Sequence, residues 1–371
     1  MKLKLHQLKQ LLVAGILTLA LVAQVARATS NNVGYARADL VSDLASNAAH
    51  LDARLVNPWG IVASPGSVWV NNNGKGLAAA YSAAGVPLTK AINVPAPGGG
   101  AGAPSGLVFN DTLQFGVTNA MNQAPSTFLI ATEDGTVAAW NNSVTGTNAV
   151  IAVDNSGAGA VYKGLAIARD TNDSPHVYAA DFHNGKMDMF DGEFHFVRSF
   201  NDPDLPSGFA PFNVRNFRGR LFVSFAKQKL PDAHDDQAGP GNGFVDIFDT
   251  DGTLLRRFAE QGVLNSPWGM AIAPANFGRF SHALLIGNFG DGRINAFDLL
   301  TGKPLGSLTD ANGAPIVIDG LWGLSFERQE RFEHDSQFFA ARLYFTAGIN
   351  DEADGLLGYL RAISPRAPHA R

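Results

Sequence analysis

The sequence has no cysteine, which excludes a disulfide scaffold, a thiolate metal site and a cysteine nucleophile. Charge is scarce too. Asp, Glu, Lys and Arg supply 16% of 371 residues, against about a quarter in an average chain. The net charge is −5, and there is no basic run of the kind that serves nucleic acid or an acidic membrane surface. Long apolar runs are also missing. The longest, Leu11 to Val25, has 15 residues, short of the roughly 20 that span a bilayer. It follows Lys2, Lys4 and Lys9 and precedes Ala26-Arg27-Ala28. A positive start, a short apolar centre and a small-residue site make a secretory leader. Cleavage after Ala28 removes four basic residues and no acids, leaving −9. The expectation is an exported protein, periplasmic or secreted, with no membrane span after cleavage and a disordered tail over 364–371.

What is abundant is glycine, with 40 residues, alongside a hydrophobic share of 46% that can fill a sizeable core. The glycines are not scattered. A Gly, four residues and an aromatic recur at Gly76–Tyr81, Gly135–Trp140, Gly185–Phe190, Gly243–Phe248 and Gly292–Phe297, with a variant at Gly355–Tyr359. Apolar side chains two and four residues after each Gly give the period of a half-buried strand. Two companions precede each copy. One is an apolar strand opening on Gly, as in Trp59-Gly60, Ser105-Gly106, Lys163-Gly164, Trp268-Gly269 and Trp322-Gly323, with Phe212-Asn213 as the departure. The other ends in polar residues, as in Val177 to Asp181 and Leu284 to Asn288.

Six units of about 56 residues, slightly longer than the 40–50 of a usual four-stranded blade, predict an all-β, six-bladed β-propeller over 29–363. The sixth unit runs out after its third strand. A spare strand near Tyr35 to Asp43 therefore completes the last blade and closes the ring.

The phrases LVNPWGI, TEDGTVAAWN, YAADFHNGKMDMFD, HDDQAGPGNGFVDIFDTDGTLLRRF, GNFGDGRINAFD and YFTAGINDEADGL resemble an uncharacterised bacterial family of exported, NHL-like propellers. Some of its members carry a PEP-CTERM sorting tail, which this sequence lacks. The resemblance covers roughly 38–360 and implies the fold. It brings no activity.

Propellers bind ligands at a mouth of the central channel, where the loops leading into the innermost strands meet those joining second and third strands. The spacing puts Asn71, Glu133, Asp181, His183, His234, Asn288, Asp351 and Glu352 on the second-to-third-strand loops, and Lys163, Asn213, Asn265 and Asp319 near the lead-in loops. Two readings compete. As a site, Glu133, Asp181, Asn288, Asp351 and Glu352 offer oxygen ligands for Ca²⁺ or Mg²⁺, and His183 would shift the preference toward a transition metal. His183 or His234 would then accept a proton, while Asn71, Asn213, Asn265, Lys163 and Asp319 would contact a small molecule or glycan. As turn chemistry, the same Asn and Asp side chains bond their own backbone. Glu133, His183, His234 and Glu352 are poor turn formers and favour the site.

The long loop 226–243 is a candidate lid. Trp59, Trp268 and Trp322 are expected to pack between blades near the channel, or else to offer ring faces to a sugar. The sequence has no G-x-S-x-G elbow, and Gly98–Gly102 is no phosphate loop because no Gly-Lys-Ser/Thr follows; it is expected as a flexible connection within the first blade. Three functions stay open: a monomeric ligand-binding propeller, a metal-dependent lyase or hydrolase of the lactonase or streptogramin-lyase type, and an envelope scaffold.

Overall fold

The computed structural model describes residues 34–64, 66–327 and 341–363. The leader segment 1–28 and the tail 364–371 lie outside them. Six antiparallel sheets of four strands are arranged as a six-bladed propeller. The innermost strands are Pro58–Ser64, Pro104–Phe109, Tyr162–Arg169, Phe209–Asn216, Pro267–Ile272 and Leu321–Phe326, and they open blades 1 to 6 in order. Each touches the next, and the last touches the first, so they enclose the channel.

Closure follows the expectation. Tyr35–Ser42 pairs antiparallel with Leu356–Ala362, from Tyr35 opposite Ala362 to Ser42 opposite Leu356. The N-terminal strand is thus the outer strand of blade 6, and the pairing runs the length of the seam with one bulge at Leu40. A two-residue strand, His50–Leu51, adds in parallel outside it. A small hairpin, Gly116–Thr118 with Gln123–Pro125, decorates blade 2. The glycine-rich stretch 98–102 links blades 1 and 2 rather than lying inside blade 1.

The recurrent Trp-Gly pattern acquires a physical meaning here. In every blade the pairing of first and second strands slips near the second or third residue of the inner strand, counted in blade 4 from Pro211. A β-bulge of this kind re-aims a side chain. The second-position column reads Trp59, Ser105, Lys163, Phe212, Trp268 and Trp322, and five of these six line one cluster at the upper mouth. The third position is Gly because the neighbouring inner strand is too close for a side chain. A Cβ on Gly60 would sit 2.5 Å from the Ser105 carbonyl oxygen, and one on Gly323 would sit 2.5 Å from that of Trp59. Blade 4 substitutes Asn213, whose amide reaches across to donate to the Trp268 carbonyl at 2.7 Å.

The apolar core lies between blades, in clusters that each join two neighbouring sheets. The tryptophans take the packing role. Trp59 stacks on Trp322 at 3.6 Å between centroids, Phe289 stacks on Trp322 at 3.9 Å, and Trp268 meets both indoles edge-on. All three tryptophans are at most 3% exposed, so no ring face is offered to a sugar. They form a plug that floors the upper mouth.

Candidate functional site

Above the plug lies a buried ammonium. The blade 3 bulge delivers Lys163 into the channel, where it is 2% exposed. Its Nζ stands 5.0 Å from the Trp59 ring centroid, a cation–π contact. It is ion-paired with Glu133 and lies 3.5 Å from Asp235 Oδ1. Burial disfavours the charged amine, but Glu133 together with Asp235 and Asp236 outweighs that cost and the pKa of Lys163 is raised.

Loops from four blades supply the surroundings. Glu133 follows the second strand of blade 2, and its other carboxylate oxygen accepts from Asn73 Nδ2 of blade 1 at 2.6 Å. The blade 4 loop brings His234, whose Nδ1 is 3.0 Å from Asp235 Oδ1. That hydrogen bond holds the Asp235 carboxyl down at about 2 and raises the imidazole. Next to them Asp236 is raised by burial. From blade 6 comes Glu352, which accepts from Asn57 Nδ2 at 2.6 Å. Burial is the main cause that pushes its pKa up to about 7.

Asn57 ties this charge to the plug. Its Oδ1 accepts from both Trp59 Nε1 at 3.0 Å and Trp322 Nε1 at 3.1 Å, while its amide nitrogen holds Glu352. A single side chain therefore fixes two indoles and one carboxylate.

Of the residues read as a site from sequence, Glu133, Lys163, His234 and Glu352 gather here. The others are engaged elsewhere at the same mouth. Asp181 is a turn brace: its Oδ1 accepts from Val161 N at 3.1 Å and its Oδ2 from Asn184 Nδ2 at 2.8 Å. Asn288 donates to the Val263 carbonyl at 2.7 Å. Asn71 donates to the Ser105 and Gly106 carbonyls of the next blade, and Asn213 is the inter-blade spacer described above. Asn265 Oδ1 accepts from Gly239 N at 2.7 Å, pinning the 226–243 loop. His183 pins the same loop from the other side, through Nδ1 at 3.0 Å from the Asp232 carbonyl. Asp319 accepts from Asn350 N, and Asp351 is exposed. Short polar side chains at chain reversals satisfy backbone groups first, which is why the loops contribute fewer ligands than their composition suggested.

Asn57, Asn73, Asp235 and Asp236, which the sequence places on the same lead-in and second-to-third-strand loops, complete the site. Asn57 stands immediately before Pro58-Trp59-Gly60, at the start of a channel-lining strand, which places it at the mouth.

A metal can be tested against this geometry. Ligand atoms of Glu133, His234 and Asp235 lie within 4.8 Å of one another, the spacing of a cation site. Both carboxylates, however, already serve Lys163. A divalent ion on them would sit about 5 Å from a buried ammonium, a repulsion of roughly 7 kcal/mol at an effective dielectric of about 20. A divalent ion would therefore compete with the Lys163 ammonium for the same two carboxylates. The lysine is the cation of this mouth.

The chain matches an uncharacterised protein of Acanthamoeba polyphaga mimivirus at 34% identity, covering 86% of this chain and 78% of the viral protein. A second uncharacterised mimivirus protein matches at 33%, covering 86% and 84%. The chain belongs to their family. Its members found here are viral, and they carry no described activity. No protein-family model matches. Among solved structures, a streptogramin B lyase superposes with a TM-score of 0.50 at 10% identity, covering 89% of this chain and 98% of that one. A virginiamycin B lyase from Staphylococcus aureus gives 0.48 at 12%, covering 89% of this chain and 100% of that one. At such identities the likeness is one of fold alone. Among the described residues no helix is long and apolar enough to cross a membrane.

Proposed function

We propose that this protein binds a small polar molecule or glycan at the upper mouth, outside the cytoplasm. The observation that carries the proposal is the convergence of Glu133, Lys163, His234, Asp235 and Glu352 over an aromatic floor, with the loop 226–243 as its lid. A cluster that combines one buried cation with both fixed and titrating carboxylates serves hydrogen-bonded recognition, and the indoles beneath report on it. Kinship with bacterial NHL-like exported propellers and monomeric action are part of the same proposal. The test is a titration of the mature protein with mono- and oligosaccharides and small amines, read by tryptophan fluorescence and melting temperature. A saturable response that Glu352→Gln or His234→Ala abolishes supports it. A flat response to every class, in wild type and variants alike, refutes it. N-terminal sequencing of the exported protein tests the location: a start near Thr29 agrees, and an intact Met1 does not.

A lyase reading is favoured by one further observation. Glu352 titrates near neutrality, and His234 is oriented by Asp235, so the mouth holds a proton donor and a proton acceptor around Lys163. Incubation with streptogramin B, read by mass spectrometry, separates the chemistries. An eliminated product keeps the substrate's total mass, a hydrolysed one gains a water, and an unchanged antibiotic removes this substrate.

A further inference from the structure

The opposite mouth of the channel holds a cavity of about 630 Å³ that no part of the reading above uses. Its size falls within the roughly 300–1,000 Å³ of small-molecule sites. Its wall is built from the fifth position of the inner strands, two residues after the Gly or, in blade 4, after Asn213. That column reads Val62, Val108, Ala166, Arg215, Ala271 and Ser325, and all six line the cavity. Five of these side chains are small and carry no charge. Arg215 is the exception.

Arg215 stands where the cavity narrows into the channel, since it also lines the small void above, beside Gly60, Gly106, Gly269 and Gly323. The layers immediately around it are aliphatic: Ile61, Leu107, Leu165, Met270 and Leu324. Among the described residues, no carboxylate lies within 4.0 Å of its guanidinium. The charges that share the cavity sit at its rim. Asp111 is exposed there, and Arg169 is paired with Asp173 at 3.5 Å. Burial lowers the pKa of Arg215, with no acid to offset it. Arg215 is half-buried and lines the cavity with no anion beside it, and its planar fork matches a carboxylate in two parallel hydrogen bonds.

We propose that this lower cavity binds an amphipathic monoanion, a carboxylate with an aliphatic or aromatic body, its head on Arg215 and its body against the small apolar side chains of the inner strands. The proposal is independent of the upper mouth, which lies beyond the tryptophan plug.

Titration calorimetry of the full protein with dodecanoate, below its micelle concentration, tests it. The expected result is saturable one-to-one binding that Arg215→Met weakens at least tenfold. Arg215→Lys, which keeps the charge and loses the fork, should fall between. Dodecanol should bind at least tenfold more weakly than dodecanoate, and Glu352→Gln at the other mouth should leave the affinity unchanged. Without ligand, Arg215→Met should melt no lower than wild type, because it removes an uncompensated charge. The proposal is overturned if wild type shows no saturable binding, if Arg215→Met binds dodecanoate as tightly, or if that variant melts several degrees lower. The last outcome would give the guanidinium a structural role.

Discussion

Replacing Glu352 by Gln tests the electrostatics of the upper mouth at its most perturbed group. The carboxyl titrates at about 7 in the folded protein against an ordinary 4.5, chiefly because burial disfavours its charge. The folded state therefore holds a proton that the unfolded state has released. Between about 4.5 and 7 the unfolded chain binds fewer protons, so this group makes stability fall as pH rises; above 7 the penalty is complete. The interval is equivalent to about 3 kcal/mol, and partial exposure of the side chain brings the expectation nearer 2. Gln keeps the shape and the oxygen that Asn57 donates to, and it has no proton to lose. Thermal unfolding of wild type and Glu352→Gln from pH 4.5 to 8.5 reads the difference. The two should melt together at the acid end, and the variant should melt a few degrees higher above pH 7. Parallel curves, or a variant that loses ground as pH rises, would refute the reasoning.

Other perturbations probe the remaining parts. Lys163→Met leaves Glu133 and Asp235 facing each other without their cation, and should cost roughly 3–5 kcal/mol at neutral pH. Millimolar Ca²⁺ should leave the wild-type melting temperature unchanged and raise that of this variant; a rise in wild type would show that the lysine does not exclude the metal. Gly60→Ala puts a Cβ 2.5 Å from the Ser105 carbonyl oxygen, whereas Gly185→Ala meets nothing within 4 Å and pays only for its positive φ of 68°, about 1 kcal/mol. The first should lower the melting temperature at least twice as far as the second. Val41→Asp places an unpaired carboxylate at a fully buried position of the closing strand, opposite Leu357, and should cost several kcal/mol. Its extra protease cuts should fall first within Tyr35–Ser42; cuts distributed evenly over the blades would argue against a closing seam.

The architecture was legible because propeller blades repeat one physical problem six times. Each inner strand needs a Gly where its neighbour passes too closely for a side chain, and each blade reuses the same period-two pattern, so phase alone predicted the blades and the closing strand. Of the site, Glu133, His234 and Glu352 were legible as poor turn formers on the second-to-third-strand loops, and Lys163 from a column of the repeat. Lys163 occupies the place taken by Trp59, Trp268 and Trp322, which was enough to aim it into the channel. Partners that depend on loop paths were not legible: nothing in the local sequence couples Asn57 to Glu352, nearly 300 residues away. Asp181 and Asn288 were read as ligands because their residue types serve turns and metals equally well, and here the backbone claims them. Arg215 was missed for a different reason. It stands in a column of small residues, and only the assembled ring shows that this column surrounds a cavity.

Backbone strain gives the upper mouth a further distinction. Asn350, Asp351 and Glu352 have φ of 56°, 53° and 65°, a left-handed turn made without a glycine, and Asn57, Ala233 and Ser266 have φ of 44°, 50° and 48° nearby. Such residues cost on the order of 1 kcal/mol each. The turn is held from outside: Asn350 N donates to Asp319 Oδ2, and Asn57 N to the Asp354 carbonyl. A loop that needed only to reverse the chain would be cheaper with Gly at 352. What Glu gains there is a carboxylate delivered to Asn57, in a place where burial keeps it protonated near neutrality. Strain at Glu352, desolvation of the same side chain and its bond to the residue that fixes both indoles point the same way. The fold spends stability at this mouth to hold one titrating acid beside one buried amine.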